Sequence, residues 1–183
     1  MEKIIERLNK YETDFDGIRW AISARSKDDT RTNIKCIKVD GGLIVSTDGH
    51  RMHCYMTERA IEDGVYEILK DAKDMIVLRS RNDVDYPDYE KFFPRKTHNG
   101  IEPLSVPSES KRAWNGGVDR ETAVLNHVLK QASASFNVHY VVDACPADET
   151  LFFEQADGNA DAVPLIIRNA DYTKAALVMP VRI

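Results

Sequence analysis

Two runs with the character of β-strands, Ile34 to Val39 and Leu43 to Thr47, flank Asp40-Gly41-Gly42, and this constrains the fold more than any other stretch. Glycine takes positive φ without steric cost, which a tight hairpin turn demands, so an antiparallel hairpin is expected. A second turn at Asp48-Gly49 leads into Arg51 to Met56, where Met52, Cys54 and Met56 alternate with Arg51, His53 and Tyr55. That period of two belongs to a half-buried strand. Val65 to Leu69 and Met75 to Leu78 continue the meander. Such a sheet needs a cover on one face. The segment Asp16 to Asp29 supplies one, with Ile18, Ala21, Ile22 and Arg25 at helical spacing and Asp14 or Asp16 as N-cap. Residues 1–14 suit a helix or a strand equally.

The second half repeats this order with little residue identity. Residues 94–119 carry Pro94, Pro103, Pro107, Gly100, Gly116 and Gly117 with little periodicity, and read as a loop or linker. Thr122 to Gln131 fits either helix or strand. Ser135 to Asp143 reads as a helix capped by Ser135 or Asn137, with Val138, Val141, Val142 and Cys145 on one face and Pro146 ending it. Leu151 to Glu154, Val163 to Arg168 and Ala175 to Arg182 read as three further strands. Asp157-Gly158-Asn159 and Asn169-Ala170-Asp171 separate them. The expected fold is therefore α+β, with two pseudo-repeated halves of helix plus antiparallel sheet. We expect one domain over 1–183, with halves at about 1–94 and 118–183 joined by the polar segment 95–117.

Composition narrows the function. With 43% hydrophobic and 30% charged residues the chain is an ordinary globular sequence. No apolar run reaches the roughly 18 residues that cross a bilayer, and the first residues lack a signal peptide's apolar centre, so a cytoplasmic protein is expected. Cys36, Cys54 and Cys145 are odd in number and sit in apolar stretches, which suits buried reduced thiols. A formal charge of −5 makes the surface as a whole a poor match to many DNA phosphates and favours a protein partner.

Four motifs carry a resemblance to a known family. Leu43 to Met52, LIVSTDGHRM, is similar to a strand and turn of the form VATDGHRL in the bacterial DNA polymerase III sliding clamp, the beta subunit. Asp85-Tyr86-Pro87-Asp88-Tyr89 followed by Phe92-Phe93-Pro94 resembles the clamp's YPDY or FPDY segment. Ser135 to Asp143 resembles the FNVxYVxD helix start of its last domain, and Ala176 to Ile183 resembles its VVMPMRL end. The motifs keep the family's order and anchor most of the chain from about residue 15 onward. The resemblance implies a DNA clamp-like fold. The family's protomer has three such domains, and two protomers close a ring around duplex DNA. The first motif resembles the second domain and the last two resemble the third. The expectation is thus a shortened single module, built from the first half of one clamp domain and the second half of another.

The resemblance also implies a site. In the family the TDGHR turn, the proline after YPDY and the MPMR tail surround a shallow apolar pocket for short peptides of polymerases and other replication factors. Carried over, the wall is Thr47, Gly49, His50, Arg51, Met52, Pro94, Leu177, Met179, Pro180, Val181 and Arg182. Methionine adapts to varied apolar anchors, and Arg and His can bond peptide carbonyls or carboxylates. Val181 stands where the family usually has Met. The same residues also suit a purely structural role in turn and core. The family's DNA contact comes from inner basic helices, and here Arg19, Arg25 and Lys27 on the first helix are the candidates; the second offers His139 but no Lys or Arg between Ser135 and Asp143. A solvated helix face accounts for those three as well.

The expected function is a non-enzymatic sliding-clamp-like binding protein of DNA replication or repair, without cofactor or metal. Its expected partners are replication proteins carrying clamp-binding peptides and duplex DNA without sequence specificity, with no membrane; to close a ring the chain would have to form a homo-oligomer or join another clamp. The alternative is a monomeric or dimeric clamp mimic that binds replication proteins without encircling DNA. An enzyme would have to use Asp48, His50, His53 and Cys54. Strand alternation sends His53 and Cys54 to opposite faces, and no nucleophile-elbow context is present. Zinc binding by His50, His53 and Cys54 meets the same objection.

Overall fold

A computed structural model of the chain describes residues 5–92, 100–105, 120–132, 134–146, 149–155 and 163–181. They belong to two compact units, Met1–Glu90 and Lys91–Ile183. The first unit runs β1 (Ile5–Asn9), α1 (Phe15–Ile22), α2 (Thr32–Lys35), β2 (Ile37–Asp40), β3 (Leu43–Thr47), β4 (Arg51–Met56), β5 (Gly64–Ala72) and β6 (Met75–Ser80). Its strands lie in the order β1-β6-β5-β2-β3-β4, each neighbour antiparallel.

The hairpin forms at the expected place. Asp40 pairs with Leu43 across Gly41 and Gly42, whose φ values of 54° and 83° are the positive angles that a tight hairpin turn needs. Above this sheet Ile18, Ala21 and Ile22 of α1 are each 0% exposed. They join Leu8, Val39, Ile44, Ile76 and Leu78 in one core, where burial of apolar area stabilises by roughly 25 cal/mol per Å². Helix α1 comes so near the sheet at Gly17 that a Cβ there would overlap the Tyr55 ring. That ring is held in turn, since its hydroxyl donates to Asp14 Oδ1 at 2.7 Å.

Helix α1 is shorter than the periodicity suggests. The Ser23 hydroxyl donates back to the Trp20 carbonyl at 2.7 Å, and the Ser26 N–H goes to the carbonyls of Ile34 and Thr47 at 3.0 and 3.2 Å. Local side-chain bonds of this kind compete with helix propagation. Ile34, expected in a strand, lies in α2 instead; the Asn33 side chain accepts from its N–H at 2.9 Å, and Lys35 N–H bonds the Arg31 carbonyl at 3.1 Å. The undecided N-terminal stretch contains a strand, β1, because pairing with β6 buries Leu8.

The second unit runs β7 (Gly100–Ser105), α3 (Arg120–Gln131), α4 (Val138–Asp143), β8 (Thr150–Gln155), β9 (Leu165–Asn169) and β10 (Lys174–Val178). The strand order is β10-β9-β8-β7, again antiparallel. Strand β7 lies inside the stretch read from sequence as a loop, where Gly100 and Pro103 hide any alternation. The ambiguous segment at Thr122 is helical, and Val124 and Val128 are 0% and 1% exposed along one face. Asn137 caps α4, its side chain accepting from the His139 N–H at 3.0 Å.

Two strand boundaries differ from expectation for one reason. Pro164 and Pro180 have no N–H for a ladder, so β9 starts at Leu165 and β10 stops at Val178 rather than Arg182. In each unit helices precede an antiparallel meander, β2-β3-β4 and β8-β9-β10. The fold is thus the α+β, DNA clamp-like arrangement of repeated helix and antiparallel sheet.

Candidate functional site

The TDGHR residues form a closed local structure between β3 and β4. Asp48 Oδ1 accepts from the N–H groups of His50 and Arg51 at 2.9 and 3.0 Å, and Asp48 Oδ2 pairs with Arg51 Nε at 3.1 Å. The Thr47 hydroxyl donates to the Arg51 carbonyl at 2.6 Å while accepting from the Gly49 N–H at 3.0 Å. Gly49 has φ 92°, a region that side-chain-bearing residues rarely adopt. The turn is thereby fixed by its own side chains and exposes Gly49 and His50, with Thr47 and Arg51 half-buried.

Sequence reading overlooked Arg31. Its guanidinium donates to the Asp48 carbonyl at 2.9 Å and lies against Gly49, so near that a Cβ would come within 2.8 Å of Nη2. Arg31, His50 and Arg51 therefore gather on one turn. Arg31 lies 17 positions before Asp48, and no local pattern marks it.

The other predicted residues divide by burial. Met52 and Leu177 are each 4% exposed, so they support the surface from beneath instead of lining it. Met179 and Pro180 are half-buried and Val181 is 46% exposed. Within the second unit the tail meets the helix-start motif, for Phe136 bridges Pro180 and the Val181 N–H donates to the Ser135 carbonyl at 2.8 Å. Two motifs far apart in sequence thus form one surface. Pro94 and Arg182 lie outside the described residues.

The acidic-aromatic motif after β6 is fastened to the first sheet. Tyr86 donates to the Val45 carbonyl at 3.3 Å and Tyr89 to Asp40 Oδ2 at 2.8 Å. Burial pushes both phenols well above their usual range, and for Tyr89 the bond to Asp40 adds to the rise.

Of the candidate DNA-contacting cations, Arg25 is committed within the fold, donating to the Ile22 carbonyl at 2.9 Å and pairing with Asp71 at 3.2 Å. Arg19 is half-buried in the last turn of α1, and Lys27 is exposed beyond it.

The residues an enzyme would need are occupied differently. His53 is 0% exposed and stacks on Trp20 with centroids 4.4 Å apart, its Nδ1 3.0 Å from the Trp20 carbonyl. Burial pushes the Cys54 thiol far up, away from the thiolate form that a nucleophile requires. Cys36, Cys54 and Cys145 are buried free thiols. Among the described residues no three His, Cys, Asp or Glu side chains are grouped to hold a metal ion, and no helix is long and apolar enough to cross a membrane.

Fold and site geometry together define a protein with the DNA-clamp fold. The solved structures it resembles are bacterial sliding clamps. DNA polymerase III subunit beta from Borrelia burgdorferi, solved with a natural product, superposes with a TM-score of 0.61 at 13% identity, covering 100% of this chain and 65% of that one. The beta chain from Streptococcus pneumoniae gives 0.60 at 14% identity over 100% of this chain and 65% of that one. The Caulobacter crescentus beta protein gives 0.59 at 16% identity over 98% and 66%. The chain therefore spans about two thirds of the length of these clamps. No family model and no curated protein sequence matches it.

Proposed function

We propose that the chain is a sliding-clamp-like binding protein of DNA replication or repair that receives short peptides of polymerases and related factors. The observation that carries this reading is the TDGHR turn, kept in closed form on a clamp fold with Arg31, His50 and Arg51 gathered on it. The receiving residues are Thr47, Gly49, His50 and Arg51 in the first unit, supported by Met52. In the second unit they are Met179, Pro180 and Val181, supported by Leu177, with Pro94 and Arg182 completing the set. Exposed Val181 and half-buried Met179 offer apolar contact, and the cations at the turn can bond peptide carbonyls. Valine at 181 is shorter and stiffer than methionine, which changes the shape and adaptability of the wall and with them the choice of partner.

A second reading is favoured by the charge distribution. Arg25 is engaged with Asp71, and the formal charge is −5, so few cations remain for phosphates. On that reading the protein binds replication proteins as a monomer or dimer without encircling DNA.

Fluorescence titration with a polymerase clamp-binding peptide tests the first reading. His50→Ala and Met179→Ala are expected to weaken binding about tenfold each with unchanged circular dichroism. Absence of saturable binding to the wild-type chain overturns it. Retention on circular duplex DNA separates the two readings: retention that is lost when the DNA is linearised marks a clamp, whereas no retention, or salt-sensitive binding that is the same on linear and circular DNA, marks a protein that does not encircle it.

A further inference from the structure

A pocket of about 320 Å³ lies within the first unit, between the segment Val84–Glu90 and the sheet. Lys38 of β2 lines it on one side. Asp85, Asp88 and Glu90 bring three carboxylates, and Tyr86 and Tyr89 bring two aromatic rings. Its wall is pre-formed, because both tyrosine hydroxyls are tied to the sheet, to the Val45 carbonyl and to Asp40. Among the described residues the side chains of Lys38, Asp85 and Glu90 make no hydrogen bond or ion pair. The two carboxylates of Asp85 and Glu90 thus outnumber the one ammonium of Lys38, and the Asp40 carboxylate stands behind Tyr89.

Carboxylates beside an aromatic wall form the surroundings that favour a guanidinium or ammonium over a neutral or anionic group. Volume agrees, since about 300 Å³ is the lower end of what a small ligand fills and exceeds the need of one long basic side chain. We propose that this pocket receives a basic side chain, arginine above all, presented by a peptide segment of a partner protein. Lys38 limits how deep the cation goes, and Asp85 and Glu90 meet it at the mouth. The assignment stands apart from the TDGHR turn and uses none of its residues.

Nuclear magnetic resonance titration with acetyl-Gly-Arg-Gly-amide tests the proposal, with the citrulline peptide as neutral isostere. Saturable shifts are expected at Lys38, Tyr86 and Tyr89 for the arginine peptide and none for citrulline. The double variant Asp85→Asn/Glu90→Gln is expected to weaken binding about tenfold, and Lys38→Ala to tighten it several-fold. The pair Glu58→Gln/Glu121→Gln, exposed residues elsewhere, changes net charge equally and is expected to have no effect. All four side chains changed at charged positions by these two pairs are exposed, so folding is retained and checked by the amide spectrum. Equal binding of citrulline, equal loss in the Glu58/Glu121 pair, or no saturable shift overturns the proposal. An acetyl-Gly-Glu-Gly-amide peptide that binds through Lys38 overturns it as well.

Discussion

Gly49 and Asp14 show how single residues set this structure. At φ 92°, with Arg31 packed against it, Gly49 leaves no room for a side chain. Gly49→Ala is expected to cost about 1–2 kcal/mol in urea unfolding, the cost of a left-handed residue with a Cβ, and to release Arg31 from the Asp48 carbonyl. Asp14 accepts from the hydroxyls of Tyr55 and Thr57 at 2.7 Å each and from the Arg59 N–H at 3.0 Å. Burial works against its charge, but the Thr57, Tyr55 and Arg59 bonds outweigh burial and hold the carboxyl below its ordinary range. Its folded-state pKa therefore lies below the unfolded one. The stabilisation is complete at neutral pH and is lost as acid protonates the group below about pH 4. Asp14→Asn is expected to lower stability by about 1–2 kcal/mol near pH 7, a gap that chemical denaturation should show narrowing in acid. A gap of constant size from pH 7 to pH 3 would contradict this account.

Among the elements, contact between α1 and the meander depends on Gly17 against Tyr55. Gly17→Ala forces the helix or the ring to move, and overpacking of this kind costs about 1–3 kcal/mol; the thermal midpoint checks it. At α4, Asn137→Ala removes the cap bond to His139 and is expected to cost about 1 kcal/mol. Element identity was legible wherever period and turn chemistry agreed, as in the β2-β3 hairpin with its two glycines and in the Asn137-capped helix. Legibility failed where side chains answered to distant partners. Ile34 looked like strand, but its carbonyl receives the Ser26 N–H. β7 stayed hidden because its pairing with β8, not its own alternation, makes it a strand. At the site, the TDGHR turn was readable because Asp48 and Thr47 bond within four residues, whereas Arg31 reaches it only through the fold. The burial of Met52 and Leu177 was likewise set by neighbouring strands, which no motif records.

For the molecule as a whole, a clamp fold over two thirds of a clamp's length separates what a clamp does into parts. Peptide recognition needs a surface, and the residues proposed for it are drawn from both units. Encirclement needs closure by repetition of the chain or by joining another clamp, since rings require an interface whose angle closes. Solution mass by sedimentation addresses closure: a closed oligomer that stays on circular DNA supports the clamp reading, and a monomer or dimer that binds peptide supports the mimic. The most direct test of the central claim is a map of amide shifts on titration with a polymerase clamp-binding peptide. The account predicts saturable changes at Gly49, His50 and Arg51 together with Met179 and Val181. Changes confined to other surfaces, or none at all, would contradict it.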